Sequence, residues 1–167
     1  FGITTGAAAI FGASGGVMEA ALRTVYEVVE KKPLTNLDFT EVRGHEGIKE
    51  TAVTLGGTTY KFAVANSLIN AKKMAEAVKD GSSPYAFIEI MCCPGGCIGG
   101  GGQPYGTTTK TRIERIEATY RLDQAMPIRK SHENPAIQKL YADYLKEPLG
   151  HLSHQLLHTH YHQRVHQ

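Results

Sequence analysis

The chain's three cysteines, Cys92, Cys93 and Cys97, all fall in Met91-Cys92-Cys93-Pro94-Gly95-Gly96-Cys97-Ile98-Gly99-Gly100-Gly101-Gly102-Gln103-Pro104. Cys93 and Cys97 are separated by three residues, and two thiolates at that spacing on one loop suit an iron–sulfur cluster or zinc. Pro94, Gly95 and Gly96 take side chains away where a bulky cofactor would press on the backbone, and leave N–H groups free to face anionic ligands. Gly99 to Gly102 repeat this over an adjoining surface. Buried or redox-active cysteines are the other reading of the spacing, and the flanking glycines weigh against it. Cys92 reads as a small hydrophobe at a strand end.

The preceding Tyr85-Ala86-Phe87-Ile88-Glu89-Ile90 is apolar, β-branched and aromatic, and predicts a buried strand. The cysteines then sit at the C-terminal end of a strand, where open α/β sheets bind their ligands. Upstream, Thr51–Leu55, Gly56-Gly57 and Thr58–Ala65 predict a hairpin with a two-glycine turn. Asn66 is expected to cap a helix to about Val78, with Leu68, Ala71, Lys72, Ala75 and Val78 on one face. Hairpin arm, helix and strand make a crossover unit, so the fold class is α/β with a partly parallel sheet flanked by helices.

Residues 1–9 read as a loop. A Ser14-Gly15-Gly16 turn then opens an amphipathic helix whose face is Val17, Ala21, Val25, Val28 and Val29. The start of that helix reads either as an ordinary cap or as bare N–H groups aimed at an anionic cofactor. Phe39–Gly44 is a strand candidate and Glu46–Glu50 a polar linker. Arg112–Met126 is expected to be a helix with its charges in a solvated face. Asn134 and Pro135 should cap and open a helix to about Leu145. His151, His154, His158, His160, His162 and His166 crowd the tail; His154 and His158, four apart, could offer a metal two imidazoles, but with no carboxylate beside them an exposed or interfacial helix is expected there.

The cysteine stretch resembles the third cluster-binding motif of the [FeFe]-hydrogenases, with Met91, Cys93, Gly95, Gly96, Cys97, Gly100, Gly101, Gly102, Gln103 and Pro104 at its fixed positions. Phe11-Gly12-Ala13-Ser14-Gly15-Gly16-Val17-Met18-Glu19-Ala20-Ala21-Leu22-Arg23 resembles the segment lining one wall of that family's cavity, and 128–135 resembles a further conserved stretch. The resemblance implies the C-terminal lobe of an H-cluster domain over residues 1–150, with 151–167 a His-rich tail and candidate subunit contact. It implies reversible conversion of protons and electrons to H2 at an H-cluster, a [4Fe–4S] cubane joined to a two-iron subcluster with CO, CN and a dithiolate. Cys93 would ligate the cubane and Cys97 bridge the two parts. Phe11 and Met91 would wall the two-iron part, Gly12 would let backbone approach, and Gly95, Gly96 and Gln103 would line the cofactor. Met18, Glu19 and Arg23 would support the cavity.

A cubane takes four protein ligands, and two cysteines here match the pattern. The chain also begins at Phe1, so it is expected to be part of a longer or split catalytic domain that supplies the remainder. The residues around Leu156 and Tyr161 resemble the tail of soluble NAD(P)H-linked multi-subunit hydrogenases. The implied partners are ferredoxin or flavin and iron–sulfur subunits. A hydrogenase-like iron–sulfur assembly factor and an H2 sensor are the rival readings. A net charge of +2 over 167 residues gives no basis for nucleic-acid binding, and no apolar run approaches the ~18 residues of a membrane span. Clustered cysteines suit a reducing, cytoplasmic setting.

Overall fold

The computed structural model describes residues 2–45 and 47–162. His166, Phe1 and Glu46 lie outside them. A three-stranded mixed sheet in the order β1-β2-β3 is built from β1 (Ile48–Leu55), β2 (Thr58–Asn66) and β3 (Tyr85–Met91). Antiparallel β1 and β2 pair from Ile48↔Ala65 to Leu55↔Thr58, and β2 runs parallel to β3 from Phe62↔Phe87 to Asn66↔Met91. Gly56 (φ 59°) and Gly57 (φ 82°) close the hairpin with the two positive φ values that match strand twist. β1 starts at Ile48, inside the expected polar linker, because its backbone completes the ladder with β2.

The helices are α1 (Gly6–Ala9), α2 (Gly16–Glu30), α3 (Leu68–Lys79), α4 (Thr109–Ala125), α5 (Pro135–Leu140) and α6 (His151–Leu157). β2 alternates between two cores. Phe62 and Val64 pack with Met18, Leu22, Val42 and Leu55 on the α2 side. Ala63 and Ala65 meet Met74 of α3 on the other, where small residues let the helix approach. A third cluster of Ala7, Ile10, Ala13, Ala20, Ile116 and Tyr120 joins α1, α2 and α4.

Several expectations are corrected. Residues 6–9 are helical, with the Thr5 hydroxyl accepting from Ala8 N (3.1 Å) as a cap. The strand candidate 39–44 is a 3-10 turn, Thr40–Val42, anchored by buried Val42. The N-cap of α3 is Ser67; Asn66 ends β2 and its side chain donates to His45 O (2.9 Å). α3 buries Met74 and leaves Leu68 and Val78 exposed, which reverses the expected face. α2 turns Val25, Val28 and Val29 outward and buries Met18, Glu19, Leu22 and Arg23. β3 is an edge strand: Phe87 and Ile90 are exposed while Glu89 is buried. α5 gives way to a π turn, Tyr141–Leu145, although Asn134 and Pro135 cap and open it as expected.

The charges of α4 are not all solvated. Arg23, Glu19 and Asp123 are each 0% exposed and form one ion cluster. Arg23 donates to Glu19 Oε1 (2.7 Å) and to both Asp123 oxygens (2.8 Å each). Arg43 donates to Glu19 and Asp38, and Arg129 to Asp38 and Asp123. Three guanidinium groups thus balance three carboxylates, the condition under which buried charge is tolerated. Burial pushes the Asp123 carboxyl up, but hydrogen bonds from Arg23 and Arg129 outweigh it and hold the pKa below its ordinary value. The cluster pins α2 to α4 and to the 37–43 and 128–130 segments, which fixes the wall on which the cysteine loop rests.

Candidate functional site

The cysteine loop leaves β3 at Met91, whose carbonyl accepts from Ser67 N (2.9 Å) at the start of α3. Gly95 (φ 82°) and Gly96 (φ 94°) then reverse the chain in a conformation that side chains resist. Gly96 N donates to Cys93 O (3.0 Å), Gly99 N to Gly96 O (3.0 Å) and Gly100 N to Cys97 O (3.1 Å). These bonds wind the loop into a short 3-10 turn, Cys97–Gly99. Gln103 Nε2 donates back to Cys97 O (3.4 Å), so Gln103 braces the backbone of Cys97.

This loop docks on the turn that carries Phe11. Ser14 N donates to Gly95 O (3.0 Å). A Cβ on Gly96 would fall 2.6 Å from Ser14 N and 2.7 Å from Gly12 O, and one on Gly12 would be 3.4 Å from Ile98 Cγ2. The two segments singled out in the sequence, more than eighty residues apart, are therefore in backbone contact. Gly95 and Gly96 are buried, Met91, Cys93 and Gly12 half-buried, and Cys97, Gln103 and Phe11 exposed, Phe11 at 47%. Cys92 is also exposed, so it does not pack as a strand-end hydrophobe.

The α2 N-terminus does not aim at a cofactor. Glu89 takes it: Oε1 accepts from Gly15 N (2.6 Å) and Oε2 from Met18 N (2.7 Å). Burial pushes the Glu89 carboxyl up, against the lowering effect of those two donors and of Lys49. Lys49 donates to Gly44 O (2.6 Å) and reaches Ser14, and burial brings its pKa down to about 8. Glu89 and Lys49 escaped sequence reasoning, and Ser14, read there as part of the turn that opens the helix, bonds the cysteine loop instead. The available signal was Glu89 itself, a carboxylate within an apolar run.

A cysteine-ligated metal group fits the loop. A Cβ on Gly100 would sit 2.9 Å from Cys93 Sγ, so glycine keeps the space beside that sulfur clear. Cys93 and Cys97 would hold the group. Two other clusters place carboxylate or imidazole atoms together, Glu27/His132/Glu133 and Glu19/Asp38/Asp123. Both already hold cations: Lys130 Nζ lies 2.8 Å from Glu27, and three arginines fill the second cluster. Lys130, Leu34 N and His132 outweigh the burial of Glu27 and bring its pKa down to about 2. In the tail, exposed His154 and His158 hydrogen-bond to each other with ring centroids 4.4 Å apart.

A cysteine-bearing glycine loop docked on an apolar turn at the C-terminal end of a parallel strand defines an α/β lobe of the kind that binds ligands there. Residues 1–101 match the model described as iron only hydrogenase large subunit, C-terminal domain, and the chain belongs to that family. Residues 109–164 match the model described as iron hydrogenase small subunit. The chain is 48% identical to the NADP-reducing hydrogenase subunit HndD of Solidesulfovibrio fructosivorans, over 98% of this chain and 28% of that protein. A solved [FeFe]-hydrogenase HydA1 from Chlamydomonas reinhardtii superposes with a TM-score of 0.71 at 44% identity, over 90% of this chain and 45% of the other. The cytosolic Fe-S cluster assembly factor narfl of Xenopus tropicalis is 32% identical over 90% of this chain and 32% of its own length. The chain thus spans less than half the length of each of these relatives.

Proposed function

We propose that this chain is the C-terminal part of an [FeFe]-hydrogenase H-cluster domain, over residues 1–150, and takes part in reversible conversion of two protons and two electrons to H2. The observation that carries the reading is the docking of the cysteine loop on the Phe11-bearing turn through Ser14 N and Gly95 O, 3.0 Å apart. When bound, the H-cluster supplies the redox and H2-activating chemistry. Cys93 and Cys97 would hold it, with further ligands supplied by other polypeptide of the full-length protein. Phe11 and Met91 would offer that group an apolar wall. Gly12, Gly95 and Gly96 allow close backbone approach, and Gln103 steadies Cys97 through its carbonyl.

The electrons come from ferredoxin or from NAD(P)H through flavin and iron–sulfur subunits, a reading the 48% identity to an NADP-reducing hydrogenase subunit favours. α6 and the tail, with Leu156, Leu157 and Tyr161 exposed, form a subunit contact. Clustered thiolates suit a reducing cytoplasm. Among the described residues no helix is long and apolar enough to cross a membrane. The test is H2 evolution from reduced viologen by the full-length protein with its cofactor. Turnover that Cys97→Ala abolishes supports the enzyme; cluster-loaded protein without turnover favours an assembly or sensing role.

A further inference from the structure

Two arginines of α4 reach the cysteine loop. Arg115 is conventionally satisfied: its Nη1 donates to Ile98 O (2.8 Å) and lies 3.3 Å from Thr107 Oγ1. Arg112, one turn earlier, is not. It lies across bare backbone, and a Cβ on Gly99 would fall 3.0 Å from both its Cδ and Nε, while one on Gly95 would be 3.6 Å from Cδ. Its Nε is shut off from solvent with no acceptor among the described residues. Guanidinium stays charged at any working pH, and a buried donor without an acceptor is destabilising. Leucine or methionine would fill the same space without that cost. What arginine alone brings is positive charge, set against the loop that carries Cys93 and Cys97.

We propose that Arg112 is a positioning residue whose fixed charge stabilises the reduced form of the iron–sulfur cluster held by Cys93 and Cys97, and so raises its reduction potential. The inference rests on the proposed function, since it needs a cluster on this loop. One-electron reduction adds one negative charge and makes or breaks no bond. A nearby cation in a partly desolvated site favours the more negative state. Gly99 belongs to the same packing, because a Cβ there would press on Pro94 O at 2.6 Å and on Arg112 Cδ and Nε at 3.0 Å.

The experiment compares the full-length holoprotein with Arg112→Gln and Arg112→Lys by iron content and by an EPR-monitored redox titration with dithionite and mediators. Arg112→Gln should keep its iron and move the cubane midpoint to more negative potential. The reduced-to-oxidised ratio at the parent's midpoint would then fall ~10-fold, or ~59 mV for a one-electron couple. Arg112→Lys should stay near the parent. An unchanged midpoint in iron-replete Arg112→Gln overturns the inference, as does an equal shift in both variants, which would make packing the cause. If Arg112→Gln loses iron, retention of iron and potential by Arg112→Lys supports a charge role, and loss in both overturns it. A parent without any cubane signal overturns the proposed function itself.

Discussion

Replacing Glu89 tests how the cysteine loop is joined to the wall beside it. Glu89 lies on β3 two residues before Met91, and its carboxylate closes the α2 N-terminus through Gly15 N and Met18 N. The helix has no side-chain cap of its own at Gly15. Glu89→Ala therefore orphans two N–H groups in a place where Glu89 is only 6% exposed. Each buried orphan costs about 1–3 kcal/mol, and loss of a single helix cap about 1 kcal/mol, so a total near 3 kcal/mol is expected. Glu89→Gln keeps one acceptor oxygen and should lose about half as much. Hydrogen exchange in the full-length protein reads this locally. A loss of ~3 kcal/mol lowers protection on the order of 100-fold, at the amides of Gly15 and Met18 and with them in the loop at Gly95. Protection within about twofold of the parent at those amides in Glu89→Ala would refute the reasoning.

Two further outcomes follow from the same contacts. Gly96→Ala places a Cβ 2.6 Å from Ser14 N at a φ of +94°, so it should separate the loop from the Phe11 turn. Iron bound per chain should fall while the far sheet, monitored by exchange in β1, stays protected; parent-level iron would contradict this. Lys49 is driven down to about 8 from 10.5 by burial. Its folded pKa lies below its unfolded one, so its charge destabilises the fold fully below about pH 8, and the penalty lifts as pH rises to about 10.5. The stability advantage of Lys49→Met over the parent should therefore shrink across that window in denaturant titrations, and a pH-independent difference would count against a buried Lys49.

What the sequence revealed was local. The Gly56-Gly57 hairpin, the β2–α3–β3 crossover and the Asn134-Pro135 cap all depend on neighbouring residues and were legible. Which face a helix buries was not. Apolar periodicity on α2 picked out Val25, Val28 and Val29, whereas the face covered within this chain contains Glu19 and Arg23, whose charges are neutralised by residues up to a hundred positions away. The same non-local pairing hid Asp123 in a helix that reads as solvated. β3 looked buried because its composition is apolar, yet sheet order makes it an edge. At the site, the cysteine loop and the Phe11 turn were identifiable as separate motifs, but their bond through Ser14 and the bracing by Glu89 and Arg115 arise only from packing.

The central claim is that Cys93 and Cys97 hold an H-cluster, and the infrared spectrum of the full-length protein tests it most directly. Bands for metal-bound CO and CN, absent from the Cys97→Ala variant, are predicted. An iron-loaded protein with no such bands, or with bands that persist when Cys97 is replaced, would contradict it.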